Sequence, residues 1–347
     1  MKSTITFLLL LATSLLNAQS YNGPESVDYD AIRGQYLISN SGNGRILSRT
    51  SNGTLGIFKS GISPNPYGIE VVDSVIYACC GGFIKGYNLF DTTLVCNINT
   101  GATFLNGITH DNQGNLFATD FSAKKIYRIN PAAGTFNVMV TGLTKSPNGI
   151  LFDEIGNRLV FVNWGNNASI NAVSLIDSTI SVLATTSLSN CDGIAYDGVQ
   201  YYYVSSWGAN GIVRFNADFA AAPTTVVTGL TQPADIYYNL ATDTLVSPNA
   251  GTNTVTFYEF QQTVSIATVV SSNKLIELYP NPFTNELKLK GSGVIIFSVS
   301  DQLGKVVFTG EIEDSGTINT VFLPSGMYFI SLQDSKGNQT KQKLLKQ

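Results

Sequence analysis

Four residues of this chain carry carboxylate or amide oxygens at one recurring position: Glu25, Asn106, Asn148 and Asp192. Each stands second in a four-residue slot that the sequence repeats. The slots read Pro24-Glu25-Ser26-Val27, Pro66-Tyr67-Gly68-Ile69, Leu105-Asn106-Gly107-Ile108, Pro147-Asn148-Gly149-Ile150, Cys191-Asp192-Gly193-Ile194 and Pro233-Ala234-Asp235-Ile236. If the second residues converge, two carboxylates and two amides face one another, with Tyr67 and Ala234 completing the set. Oxygen donors without a Cys or His among them suit a hard divalent cation, Ca²⁺ first, or Mg²⁺ or Mn²⁺. The plainer alternative is a set of polar residues that is merely solvated.

The spacing says what must position them. The aliphatic member of the slot falls at 27, 69, 108, 150, 194 and 236, a period of about 40 residues. Within each period four short alternating strands can be read, separated by Gly, Asn and Asp turns. In the third they are Asn106 to His110, Leu116 to Thr119, Lys125 to Ile129 and Thr135 to Val140. Four strands per repeat and six repeats predict an all-β protein with a six-bladed β-propeller. First strands then line the central channel, where glycine lets crowded backbones approach. The residues before the glycine-type positions form a ring at one mouth.

Other residues admit two readings. Asp30, Asp111, Asp153 and Asp197 each follow the aliphatic residue by three, which fits turn-capping far better than acid–base work. Trp164 and Trp207 end the second strands of adjacent repeats, on the ring's side of the disc. They suit either a ligand platform, together with Tyr67 and Asn106, or packing between blades. His110 is the only histidine and has no paired nucleophile, so a structural role is expected. No G-x-S-x-G elbow occurs.

The segment from Cys191 to Asp197, continuing to Ser206-Trp207-Gly208 and Gly211-Ile212-Val213-Arg214-Phe215, resembles the gluconolactonase, luciferin-regenerating enzyme and regucalcin family of six-bladed propellers. Similar slots occur in NHL-type and strictosidine-synthase-like propellers. The resemblance spans about residues 22–260. It implies one divalent metal on Glu25, Asn148 and Asp192, substrate contact at Asn106, and Asp192 activating water for lactone opening.

Lys2, an apolar run from Ile5 to Leu16 and Asn17-Ala18-Gln19 predict a secretory signal peptide over 1–18, too short to be a membrane anchor. Residues 19–268 form the propeller and 269–276 a linker. Residues 19–273 hold 11 Lys+Arg against 17 Asp+Glu. An acidic propeller without a basic stripe argues against nucleic acid. Cys79, Cys80, Cys96 and Cys191 lack zinc-site spacing and are expected to be buried thiols.

Residues 277–347 read as a small β-sandwich. Tyr279-Pro280-Asn281-Pro282, Asp301 through Gly304-Lys305, Leu323-Pro324-Ser325-Gly326-Met327-Tyr328 and the basic end make it resemble the C-terminal type A sorting domain of the type IX secretion system. That resemblance implies engagement with the secretion machinery, passage across the outer membrane, and a secreted or surface-attached passenger. The reading is an exported propeller that binds a ligand or cation at its mouth. A metal-dependent lactonase-like hydrolase and a protein-interaction propeller remain as alternatives.

Overall fold

The computed structural model describes residues 19–260 and 277–347, apart from 303–305 and 335–338. The predicted signal peptide, the linker, the stretch Thr263 to Val270 and the Leu303-Gly304-Lys305 turn lie outside the described residues.

Among the described residues, six small antiparallel sheets follow one another: 24–59, 69–99, 105–140, 147–185, 191–228 and 237–259. Five have four strands and the sixth has three, each in meander order. The third blade comprises Leu105–His110, Leu116–Asp120, Lys125–Asn130 and Thr135–Val140, within a residue of the predicted boundaries. Each first strand touches the next one around the ring, and Tyr237–Asn239 returns to Pro24–Asp30. The six sheets therefore close on themselves as propeller blades.

Alternation along each strand sends one set of apolar side chains into each seam between blades. Leu37 and Ile46 meet Ile69 and Ile76 in the first seam. Phe117 and Ile126 meet Ile150 and Phe161 in the third. The closing seam joins Val27, Tyr36 and Ile38 to Val246. Polar bonds reinforce it, including Asn239 Nδ2–H to Tyr36 Oη at 2.9 Å. The four cysteines are buried free thiols, and burial pushes those of Cys80 and Cys191 up to about 12.

The aspartates three residues past each slot's aliphatic member cap turns. Asp197 Oδ1 accepts the backbone N–H of Val199, Gln200 and Tyr201. Asp111 does the same for Gln113 and Asn115. Asp30 and Asp153 add Arg33 and Arg158 Nε–H at 2.6 and 2.7 Å.

Around the channel the inner strands are packed backbone to backbone. A Cβ on Gly68 would lie 2.0 Å from the Asn106 carbonyl oxygen, and one on Gly149 2.6 Å from that of Asp192. Every second blade adds a hydroxyl bridge. Thr119 Oγ1 accepts the Gly107 N–H at 2.9 Å and donates to the Asn148 carbonyl of the next blade at 2.8 Å. Ser39 joins Ser26 to Tyr67 in this way, and Ser205 joins Gly193 to Ala234. In blades two and six the slot N–H reaches the next carbonyl directly, Gly68 to Asn106 and Asp235 to Glu25, both at 2.9 Å.

The C-terminal module is one five-stranded sheet whose long hairpin, Glu286–Asp301 with Val306–Asn319, is bulged between Lys290 and Val294. The first hairpin strand lines a single core from both sides of its bulge, with Leu287 and Leu289 before it and Ile295, Phe297 and Val299 after it; Ile318 joins them from the second strand. The sandwich is thus a sheet folded over itself. Asn281 clamps the last strand: its Nδ2–H donates to the Lys343 carbonyl at 2.7 Å, and its Oδ1 accepts the Leu345 N–H at 2.9 Å.

The bridging hydroxyls give a direct test. Thr119→Val keeps the shape but strips two buried backbone groups of their partner. Unfolding free energy should drop by about 1–3 kcal/mol, read by denaturant titration. An unchanged midpoint would show that the bridge contributes nothing.

Candidate functional site

The second residues of the slots do gather at one mouth. Asn106 Nδ2–H donates to Asn148 Oδ1 at 2.6 Å, and Asn148 Nδ2–H reaches the Cys191 carbonyl at 3.4 Å. Asn148 also helps to hold the ionised form of Asp192. The Glu25 charge is felt by both Asp192 and Tyr67. Asn106, Asn148 and Asp192 are buried, whereas Glu25 and Tyr67 keep partial solvent contact.

The sixth position differs from the sequence expectation. Ala234 is fully buried and offers only its carbonyl, which Ser205 Oγ takes. The oxygen donor is the next residue, Asp235, which stands where four other slots carry glycine. Ser26, also in a glycine position, donates its Oγ–H to Asp235 Oδ2 at 2.8 Å. The mouth therefore holds three carboxyls, Glu25, Asp192 and Asp235. The signal was legible: only these two slots lack the glycine, and they are neighbours across the ring closure.

Burial in the channel wall raises Glu25 to about 7, with the Asp235 charge adding to it. Burial likewise lifts Asp235 to about 7, opposed by the Ser26 hydroxyl and assisted by Glu70. Burial, then Glu25 and Asp235, hold Asp192 well above the carboxylate range. Among the described residues none of the three forms an ion pair with a Lys or Arg. The Trp207 indole points toward Asp192 and favours its ionised form. Its Nε1–H is nonetheless buried and without a hydrogen-bond partner.

Deeper in the channel, His110 Nδ1 lies 2.7 Å from Glu70 Oε1. Burial alone would lower His110, but Glu70 outweighs it and the net shift is upward. Asp28 is raised by burial and by Glu70, while its oxygens accept the Val71 and Tyr29 N–H, each at 2.6 Å. The lone histidine is thus an ion-pair partner, as its isolation in the sequence suggested.

Trp164 and Trp207 stand edge to face at 4.9 Å on the same mouth. Neither belongs to a seam core. Sequence reasoning missed Phe104 and Phe121, which continue the line to Tyr67. Phe121 occupies in blade three the place of Trp164 and Trp207 in blades four and five, so alignment of the repeats could have found it.

Does a divalent cation fit? The donor set is all oxygen, negatively charged and short of a counter-charge, which suits a hard cation. Two features oppose immediate coordination. Asn148 Oδ1 is engaged by Asn106, and among the described residues no three of His, Cys, Asp and Glu lie at ligating distances. The chemistry fits. Coordination needs the carboxyls to draw together and the Asn106–Asn148 bond to yield.

The raised carboxyls fix a pH dependence. The unfolded chain releases these protons near 4.5 and 3.8, whereas the folded chain keeps them until about 7. The folded state binds more protons in that window, so metal-free stability falls as pH rises through it. The melting temperature without divalent cations should drop by several degrees from pH 4.5 to 7.5. Glu25→Gln should flatten the slope. A slope that Glu25→Gln leaves intact would remove Glu25 from the account.

Comparison with known proteins separates the two modules. No curated protein matches the chain in sequence. Solved propellers resemble 19–260 in fold. A gluconolactonase from Xanthomonas campestris has 16% identity and a TM-score of 0.57, over 66% of this chain and 84% of that one. Regucalcin from Agrobacterium tumefaciens, described as a calcium-binding protein, has 14% identity and a TM-score of 0.57, over 67% and 83%. A chain of a nidogen/laminin complex has 18% identity and a TM-score of 0.54, over 65% and 93%. At such identities these likenesses show the fold alone. Residues 277–347 match the family described as the secretion system C-terminal sorting domain, so the chain is a β-propeller followed by a module similar to that sorting domain.

Proposed function

We propose that the propeller is an exported binding protein whose channel mouth takes a divalent cation, calcium first. Glu25, Asn148 and Asp192 are the ligands, with Asp235 as a further carboxyl. The observation that carries this reading is the gathering of three buried or half-buried carboxyls with no basic partner. A cation would return all three to the ionised form. Asn106, Tyr67, Trp164 and Trp207 border the same mouth and serve as contacts for a ligand. The calcium-binding neighbour of the same fold supports calcium as the first choice.

A second reading rests on Asp192. A carboxyl raised above its ordinary range by burial suits a base that takes a proton from water. A bound cation would polarise a carbonyl and lower the pKa of that water. The propeller is then a lactonase-like hydrolase, as in the gluconolactonase neighbour. In a third reading the disc serves protein interaction and the mouth is idle.

Thermal melts separate the three. A cation at about 100 times its Kd adds about 2.7 kcal/mol. Calcium should raise the midpoint after EDTA treatment, and Asp192→Asn should abolish the rise. If no divalent cation moves the midpoint, the cation reading is lost. Metal-dependent turnover on a lactone panel, abolished by Asp192→Asn, would establish the hydrolase; its absence would leave a binding protein.

The tail supplies the route: residues 277–347 engage the secretion machinery, and the passenger is then released or attached to the surface. Deleting 277–347 should retain the propeller in the cell envelope, as read by fractionation. Unchanged appearance outside the cell would disprove that role.

A further inference from the structure

The aromatic residues of the mouth form more than a pair. Tyr67 meets Phe104 at 4.7 Å, Phe104 meets Phe121 at 6.0 Å, Phe121 meets Trp164 at 5.8 Å, and Trp164 meets Trp207 at 4.9 Å. The interplanar angles are 86°, 68°, 67° and 78°, so each ring stands edge to face with the next. The line crosses blades two to five without a break. All five residues are half-buried, and none belongs to the apolar clusters that fill the seams. They are a wall, not core.

The wall stops where the acids begin. At the place of Phe121, Trp164 and Trp207, blades six and one carry only Ala250 and Ser41. Below that low side stand Asp235 and Glu25, and Asp192 sits at the end of the wall beside Trp207. One half of the mouth is thus π-surface and the other is anionic. The Trp207 Nε1–H is buried and faces from the wall toward Asp192.

We propose that this two-sided mouth is a subsite for a small organic cation, an ammonium group carried on a flat apolar body. The body lies against the wall, where aromatic rings also attract positive charge. The ammonium faces Glu25, Asp192 and Asp235, which have no basic side chain of their own. A neutral sugar fits less well. Stacking a pyranose needs an open ring face, and the edge-to-face order turns alternate rings on edge. It would also leave the three carboxyls without a counter-charge. The inference rests on the preceding reading only in placing the site at this mouth; a metal ion and an ammonium are alternative occupants of the same charge.

The chain contains two tryptophans, Trp164 and Trp207, and both stand in the wall. Tryptophan emission of the full exported chain therefore reports on the site directly. Phenethylamine should change it saturably, and phenethyl alcohol, its uncharged counterpart, should need at least about tenfold more. Glu25→Gln with Asp235→Asn should weaken the amine by about tenfold or more and leave the alcohol unchanged. Phe121→Leu keeps every carboxyl, so it should weaken the amine while sparing any calcium-induced shift in the melt. Calcium and the amine should oppose each other where both bind.

Equal response to amine and alcohol would overturn the proposal, leaving an apolar platform. So would an amine affinity that survives both the carboxyl and the Phe121 substitutions. A calcium-dependent melt without any amine response would sink the ammonium subsite and spare the cation reading. Amine binding without any calcium response would do the reverse.

Discussion

The closest constraint in this molecule is the contact of one inner strand's backbone with the next around the channel. Glycines at 68, 107, 149 and 193 each face the backbone of the following blade at a distance no Cβ could occupy. Hydroxyls on Ser39, Thr119 and Ser205 then tie slot N–H to neighbouring carbonyl. These bonds matter because the channel is narrow and the groups are buried, so a missing partner is costly. The six seams of apolar packing hold blades face to face, but this inner collar sets their spacing and hence where every mouth residue lies.

The collar also explains where the chemistry sits. Two slots depart from glycine, at Ser26 and Asp235, and these belong to the blades that meet at ring closure. There the two side chains bond to each other, and Asp235 N–H still reaches the Glu25 carbonyl. Among the described residues the closing seam's buried apolar cluster is Val27, Tyr36, Ile38 and Val246. The same substitution that breaks the backbone repeat puts a third carboxyl beside Glu25 and Asp192. Crowding in a low-dielectric channel then raises all three together. The acids continue inward to Glu70 and Asp28, where His110 supplies the one local cation. The mouth has no such internal partner, which is why an external positive charge is the natural occupant.

Much of this was legible in the chain. A period near 40 residues with four short strands leads to six blades, because strand length and turn chemistry repeat with it. Asp111 and Asp197 were readable as turn caps, since their oxygens sit within reach of the next backbone donors. Glu25, Asn106, Asn148 and Asp192 were readable as a ring, because they share one place in the repeat. Asp235 is offset by one residue from the other oxygen donors, so alignment on the second slot position passes over it; its mark in the sequence is the missing glycine that it shares with Ser26. Phe104 was hidden because it precedes its strand rather than belonging to it. The engagement of Asn148 by Asn106 was not legible at all. It depends on side-chain direction across two blades, which spacing does not encode.

The two modules solve stability in different ways, and this bears on how they serve export. The propeller draws on many distant contacts, including closure of Pro24–Asp30 against the last blade, so its inner collar is complete only when nearly the whole passenger is present. The tail closes locally. Asn281 grips Lys343 and Leu345, and Phe283 N–H bonds to the Leu345 carbonyl. Lys346 is buried, donates to the Thr320 carbonyl at 2.6 Å and lies over the Phe283 ring at 5.7 Å. A motif at the start of the module therefore holds the last residues of the chain in place. The clamp is made within the module itself. No residue of the collar or the wall takes part in it.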